Sequence, residues 1–136
     1  MINASLIIKL KGYTCAIPLY RWHNDILVHN WFVKRLANIK NASSRKEILI
    51  NERILEVLVS DINTILFSKN RVEAAKEIMP VSIGFSYSDK NFEILEKTLR
   101  EIIEILDTVN FKNTTLYYCY NLTDWKGTSY SPFLFV

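Results

Sequence analysis

DKNFEILEKTLREIIEILDTVN, residues 89–110, and TTLYYCYNL, residues 114–122, decide the fold class of this 136-residue chain. The first stretch repeats apolar residues every three or four positions, which predicts an amphipathic helix that covers a core. The second is aromatic and β-branched, which predicts a strand. The apolar stripe of the helix contains Phe92, Leu95, Leu99, Ile102, Leu106 and Val109, and its opposite side carries Glu93, Glu96, Lys97, Arg100 and Glu104.

Two further elements are predicted immediately before this helix. The stretch VSIGFSY, residues 81–87, alternates large apolar with small residues, which predicts a strand with one buried face. Before it, the pattern NRVE begins at Asn70 and predicts a capped short helix that ends before Pro80.

A longer helix is predicted over residues 44–67. Ser44 and Glu47 have the spacing of a capping box, in which each side chain takes a free backbone amide of the first helical turn. The apolar residues that follow form one wide stripe, which favours packing against a sheet. This stripe contains Ile48, Leu55, Leu58, Ile62, Ile65 and Leu66, widened by Ile54 and Val57.

The first third of the chain is predicted to form an antiparallel meander. ASLIIKL, residues 4–10, and YTCAIPLYRW, residues 13–22, are strand candidates, and Pro18 places the second at a sheet edge or a bulge. A turn at residues 23–25 then returns the chain along a third strand, residues 26–39.

A helix is the alternative for residues 26–39. Asp25 could cap it, and the apolar residues also recur at helical spacing. The β-branched and aromatic content favours the strand. The residues at helical spacing are Val28, Trp31, Phe32, Leu36 and Ile39.

These elements together predict a single α+β domain over residues 1–136. Its antiparallel sheet combines the N-terminal meander with later strands, and two long helices pack on one side. YSPFLFV, residues 130–136, is the last strand candidate, joined to residues 114–122 by TDWKGTS. Because termini normally fray, the apolar ending predicts that Phe133 to Val136 are tied into the sheet.

Charge is distributed unevenly along the chain. Residues 1–46 carry a net charge of +7, whereas residues 47–136 carry −4. A basic element of this kind attracts phosphate or carboxylate partners through its field. The alternative is that the two parts attract each other within the fold.

Most catalytic and cofactor motifs are missing from the sequence. Three isolated glycines cannot form a phosphate-binding loop, and neither C-x-x-C nor H-x-x-x-H zinc spacing occurs. Cys15 and Cys119 are expected to be buried, reduced thiols, although a disulfide between them is the alternative. No signal peptide or spanning segment is recognised, so we expect a soluble, cytoplasmic protein without cofactor or metal and more consistent with a non-enzyme.

The stretch RWHNDILVHNW, residues 21–31, holds both histidines and two of the three tryptophans. One interpretation is a contact surface, because Trp, Tyr and Arg dominate interface hot spots. Another is that the tryptophans are core partners across strands and the histidines satisfy local hydrogen bonds. The candidate contact residues are Arg21, Trp22, His23, His29, Trp31, Lys34 and Arg35, with Trp125 and Lys126 in the last loop.

The sequence favours a small protein-binding module, such as an inhibitor or immunity-type protein that blocks a larger protein. Its contact surface would include the hairpin or the edge strand beside Pro18, through strand addition. The alternative is binding of RNA or single-stranded nucleic acid by the basic third, where Trp22 and Trp31 would stack bases. In a subordinate version, His23 and His29 act as the base and acid of a metal-independent ribonuclease.

Overall fold

The computed structural model describes residues 2–13, 15–36 and 45–122. These residues form four strands and four helices, which confirms the predicted α+β class. The strands are β1 (Ile2–Leu10), β2 (Ala16–His23), β3 (Arg45–Ile50) and β4 (Thr114–Leu122). The helices are α1 (Ile26–Arg35), α2 (Glu52–Leu66), α3 (Arg71–Ile78) and α4 (Asp89–Thr108).

The four strands make one antiparallel sheet in the order β2-β1-β4-β3. The predicted hairpin of β1 and β2 is present, and Pro18 lies in the edge strand β2. The β1–β2 register shifts between Leu6 and Ile7, where Ile7 faces Pro18. A proline beside a bulge interrupts the ladder that an edge strand would offer to another chain, so β2 is poorly suited to strand addition.

The main core lies between one face of the sheet and the helices. Tyr118 of β4 and Leu6 of β1 contribute side chains that are wholly inaccessible, and α2 and α4 pack on each other across this core. The other face of the sheet carries a smaller buried cluster, formed by Ile7, Ala16 and Cys119. Both long helices therefore lie on one side, as the sequence predicts.

Only one of the two cysteines is buried. Cys119 is inaccessible within β4, whereas Cys15 is exposed just before β2, and both are reduced thiols. The expectation that both cysteines are buried is therefore wrong for Cys15, because it lies in the connection between the first two strands rather than within one.

Residues 26–35 are helical, so the predicted third strand of the meander is wrong. Asn24 adopts the left-handed conformation, with φ 52°, and ends β2 there. Asp25 then caps the helix, because its side chain accepts hydrogen bonds from the backbone amides of Leu27 and Val28. Lys34 and Arg35 in the last turn complement the partial negative charge at the end of the helix.

The helix predicted over residues 44–67 begins later. Residues 45–50 form β3, in which Ile48 and Ile50 face the core, and Glu47 forms an ion pair with Lys9 of β1 instead of capping a helix. Helix α2 starts after Asn51, and the predicted stripe is confirmed within it. Its buried residues are Leu55, Leu58, Ile62, Ile65 and Leu66.

The short helix and the long surface helix are both confirmed. Asn70 caps α3 by accepting from the amide of Glu73 at 3.2 Å, and this helix ends two residues before Pro80. Helix α4 buries Phe92, Leu95 and Ile102 along the predicted stripe, and also Thr98 and Ile105.

The strand predicted over residues 81–87 is wrong. This segment has no strand pairing and turns back on itself at Gly84, whose φ is +87°. Its alternation still corresponds to burial, because Val81, Phe85 and Tyr87 pack against the core. Ile83 is the exception, since its side chain is fully exposed.

Several predictions concern residues outside the described ranges. They are the last strand, residues 130–136, with its anchor Phe133 to Val136, the loop residues Trp125 and Lys126, the capping residue Ser44, and residues 37–39 of the predicted third strand. Within the described part of the chain, no helix combines the length and apolar character that crossing a membrane requires.

The start of α2 can be tested by changing its cap. The Asn51 side chain accepts a hydrogen bond from the Ile54 amide at 3.0 Å. We expect Asn51→Ala to lower the free energy of unfolding by about 1 kcal/mol, and Asn51→Asp to leave it nearly unchanged, because Asp caps as well as Asn. Urea unfolding measures both. Equal stability of the two variants would contradict an α2 that begins after Asn51.

Candidate functional site

The stretch RWHNDILVHNW spans the end of β2 and most of α1. Asn24 joins the two elements, and its side-chain oxygen accepts a hydrogen bond from the Ile2 amide at 3.2 Å. This contact holds the junction against the start of β1. The stretch is therefore a strand-to-helix corner, which sends the side chains of α1 into the core.

Both tryptophans of the stretch are buried. The indole N–H of Trp22 donates to the Thr98 hydroxyl of α4 at 2.9 Å, and that of Trp31 donates to an Asp61 carboxylate oxygen of α2 at 2.7 Å. Only 4% of Trp22 and 1% of Trp31 is accessible. The contact-surface hypothesis is therefore wrong for these two side chains, which join α1 and the sheet to the long helices.

His29 is buried beside Tyr118. Its Nδ1 lies 2.7 Å from the Tyr118 hydroxyl, and the ring of Phe32 stacks on Tyr118 with 4.0 Å between centroids. Burial lowers the pKa of His29 to about 4 and raises that of Tyr118 well above its ordinary value. His29 is therefore a neutral core imidazole at physiological pH and does not belong to a contact surface.

Asp25 is the second buried titratable group of the stretch. Its Oδ1 caps α1, whereas its Oδ2 is buried and accepts no hydrogen bond from any group that the structure describes. Burial raises the pKa of Asp25 to about 6, although the two capping amides oppose this shift. The carboxyl thus titrates far above its ordinary range.

The two histidines do not form a common site. His23 is exposed at the end of edge strand β2, whereas His29 is buried under the sheet. General acid–base catalysis on one phosphate needs both imidazoles within reach of that phosphate. The two-histidine ribonuclease arrangement is therefore not assembled.

The remaining cations of the stretch and of α1 are on the surface. Arg21 and Lys34 are exposed. Arg35 forms an ion pair with Asp61 at 2.8 Å and lies over the Trp31 ring, 4.1 Å from its centroid. Of the sequence-predicted contact residues within the described ranges, only Arg21, His23, Lys34 and Arg35 reach the surface.

A surface that sequence reasoning missed is the connection between α3 and α4, residues 80–88, here called the turn loop. The amide of Phe85 donates to the Ser82 carbonyl at 3.0 Å, which closes a β-turn. Gly84, with φ +87°, occupies the position that requires a positive φ in a type II turn. Ile83 therefore lies at the tip of this turn, fully exposed.

The turn loop is held firmly at both sides of its tip. The rings of Phe85 and Tyr87 pack edge to face, with 4.9 Å between centroids. The Tyr87 hydroxyl donates to the Met79 carbonyl at 2.7 Å, and the Met79 side chain is buried. An apolar side chain on a fixed turn can enter a pocket of another molecule with little loss of conformational entropy.

A second missed feature is a groove of about 460 Å³ at the end of the sheet, where β3 passes into α2. It contains both apolar side chains and polar groups, and a volume of this size is typical of ligand-binding clefts. We call this the sheet-end groove. It is lined by Lys11, Leu49, Ile50, Asn51, Glu52, Phe111, Thr114, Thr115 and Leu116.

No family model matches the chain, and no curated protein or solved structure shows significant similarity to it. Among residues 2–13, 15–36 and 45–122, no three His, Cys, Asp or Glu side chains come together as a metal site would require. Function therefore has to be argued from the surfaces themselves.

The missed residues have sequence signals that only tertiary structure can interpret. Gly84 occupies one of the small positions of an alternating pattern, and a glycine there is typical of a bulge or turn as well as of a weak strand position. Neither this pattern nor Leu49 indicates exposure by itself, because an apolar residue in a strand-like run is normally counted as core.

The opposite pKa shifts of Asp25 and His29 predict opposite pH dependences of stability in two variants. Folded Asp25 binds its proton more tightly than the unfolded chain does, so its contribution is present below pH 3.8 and is lost as the pH rises through about 6. Folded His29 binds its proton more weakly. Its contribution is present above pH 6.5 and is lost as the pH falls through about 4.

We therefore expect His29→Gln, which retains Asp25, to become more stable between pH 6 and pH 4. Asp25→Asn, which retains both His29 and a capping side chain, should become less stable over the same range. Each change is at most about 3 kcal/mol, at about 1.4 kcal/mol per pKa unit. Urea unfolding at several pH values measures the slopes, and slopes of the same sign would contradict the assignment.

Proposed function

We propose that the chain is a small protein-binding module, of the inhibitor or immunity type, that contacts its partner through the turn loop. The observation that carries this proposal is the fully exposed Ile83 at the tip of a turn closed by the Phe85–Ser82 hydrogen bond and anchored by the Tyr87–Met79 hydrogen bond. A single exposed apolar residue is common on protein surfaces. One held at the tip of a hydrogen-bonded turn is suited to fill a pocket, as interface anchors do.

A second exposed apolar side chain supports an interaction role on independent grounds. Phe67, the residue that ends α2, is 84% accessible. Aromatic side chains bury large areas at interfaces and are enriched there. The binding surface we propose therefore relies on shape and apolar contact. It replaces the contact surface predicted around Trp22 and Trp31, which are buried.

The proposal is tested by a charge placed at the tip of the turn loop. Ile83→Asp should remove the anchor without affecting the fold, because the side chain contacts solvent in the free protein. Immobilised wild-type chain, exposed to its native cell extract, should retain a stoichiometric partner that Ile83→Asp retains at least about tenfold less, as expected for a hot-spot residue.

Ser86→Asp is the matched control, since it adds the same charge at an exposed position of the same loop. Gly84→Ala is a second test, because it keeps Ile83 but strains the turn at a positive φ. Retention should survive Ser86→Asp and weaken with Gly84→Ala. An identical set of proteins retained by the wild type and by Ile83→Asp would refute a role for the turn loop.

Nucleic-acid binding is the second candidate, supported by the exposed cations Arg21 and Lys34 and by the exposed His23 between them in the sequence. The tryptophans that would stack bases are buried, so affinity would rest on phosphate contacts alone. We expect only weak binding to mixed-sequence RNA, and a steep decrease between about 50 mM and 200 mM salt, because each phosphate contact releases counterions. Fluorescence polarisation measures this. Tight, salt-insensitive binding would contradict the expectation.

A further inference from the structure

We propose that the sheet-end groove binds the C-terminal end of an extended apolar peptide, which pairs with the backbone of β4 at Thr114 and places its carboxylate near Lys11. This site is lined by none of the turn-loop residues. The proposal therefore does not depend on the function proposed above.

The backbone argument begins with the different lengths of β3 and β4. Strand β3 ends at Ile50, which pairs with Leu116, whereas β4 continues through Thr115 and Thr114 beside β1. After Ile50 the chain departs into α2. The first two residues of β4, Thr114 and Thr115, therefore have a strand neighbour on the β1 side but none on the β3 side among the described residues.

The direction of the Thr114 backbone groups follows from the ladder. The amide of Lys11 donates to the Asn113 carbonyl at 3.0 Å, so Asn113 directs its groups toward β1. Because successive residues of an antiparallel strand point their N–H and C=O groups to opposite sides, Thr114 directs its groups away from β1, toward the groove. No described backbone group binds them there.

The walls of the groove supply apolar contact. Leu49 is 62% accessible, and Ile50, Phe111 and Leu116 line the same space. Strand addition combines main-chain hydrogen bonds with pockets that take alternate side chains of the added peptide. A leucine-sized side chain next to the residue that pairs with Thr114 fits this arrangement.

The charges that line the groove and the direction of its strands favour the C-terminus of a peptide at this site. A peptide added antiparallel to β4 runs in the same direction as β3, and its C-terminus points toward the turn at Asn110–Asn113. Lys11 lies beside this turn, lines the groove and is exposed, and it has no ion-pair partner within the described residues. A carboxylate at that end is therefore complemented by the Lys11 ammonium group, whereas Glu52, which also lines the groove, disfavours a carboxylate beside α2.

The experiment titrates the isotope-labelled full chain with the tripeptide acetyl-Ala-Val-Leu, either as the free carboxylate or as the C-terminal amide. We expect the carboxylate form to shift the backbone amide signals of Lys11, Leu49 and Thr114–Leu116 at millimolar peptide. The amide form should bind about tenfold more weakly, because it lacks the charge that Lys11 attracts. No shifts at millimolar peptide, or equal binding of both forms, would overturn the proposal.

Two variants and two controls locate the site. Lys11→Gln should weaken binding of the carboxylate peptide about tenfold without weakening binding of the amide peptide. Leu49→Asp should weaken binding of both peptides, since it places a charge in the apolar wall. Lys112→Gln removes an exposed cation from the same turn that does not line the groove, so it should leave binding unchanged. Equal effects of Lys11→Gln and Lys112→Gln would show general charge attraction and overturn the site. Ile83→Asp should bind the peptide like the wild type, which separates a failure here from a failure of the turn loop.

Discussion

The packing of α1 against Tyr118 of β4 is the contact on which the other layers depend. Phe32 stacks on the Tyr118 ring, and His29 shares a hydrogen bond with its hydroxyl. From the same helix, Trp31 binds Asp61 of α2. Helix α1 thus joins the central strand β4 to a long helix. Asn24 and Asp25 place α1 there, because the left-handed Asn24 ends β2 and Asp25 directly after it caps α1.

Helices α3 and α4 were predictable from local interactions, whereas strand β3 was not, because it depends on pairing with a distant strand. Helices α3 and α4 follow from a cap at Asn70 and from regular apolar spacing, both of which act within a few residues. Strand β3 exists because it pairs with β4, about seventy residues later in the chain. Its Glu47 has the spacing of a capping box, but the attraction of Lys9 across the sheet determines its contact. Sequence patterns that span a few residues cannot show whether Glu47 caps a helix or pairs with Lys9 across the sheet.

The candidate surfaces were less predictable than the fold, because exposure is a property of the whole assembly. Trp22 and Trp31 have the composition of an interface, yet their N–H groups find partners on α4 and α2, which makes full burial favourable. Ile83 has the composition of a core residue, yet the positive φ of Gly84 turns it outward. Residue type sets what a side chain can do, whereas backbone conformation sets where it does so.

Part of the uneven charge distribution of the sequence is neutralised by ion pairs within the fold. The Lys9–Glu47 and Arg35–Asp61 ion pairs each join a base from residues 1–46 to an acid from residues 47–136. Such pairing weakens the field available to attract a charged partner from a distance. It also means that the net charge of the first third overstates the basic surface. Since long-range attraction is reduced in this way, the partner recognition that we propose would draw its specificity from short-range contacts, and an exposed apolar side chain on a hydrogen-bonded turn is suited to supply contacts of that kind.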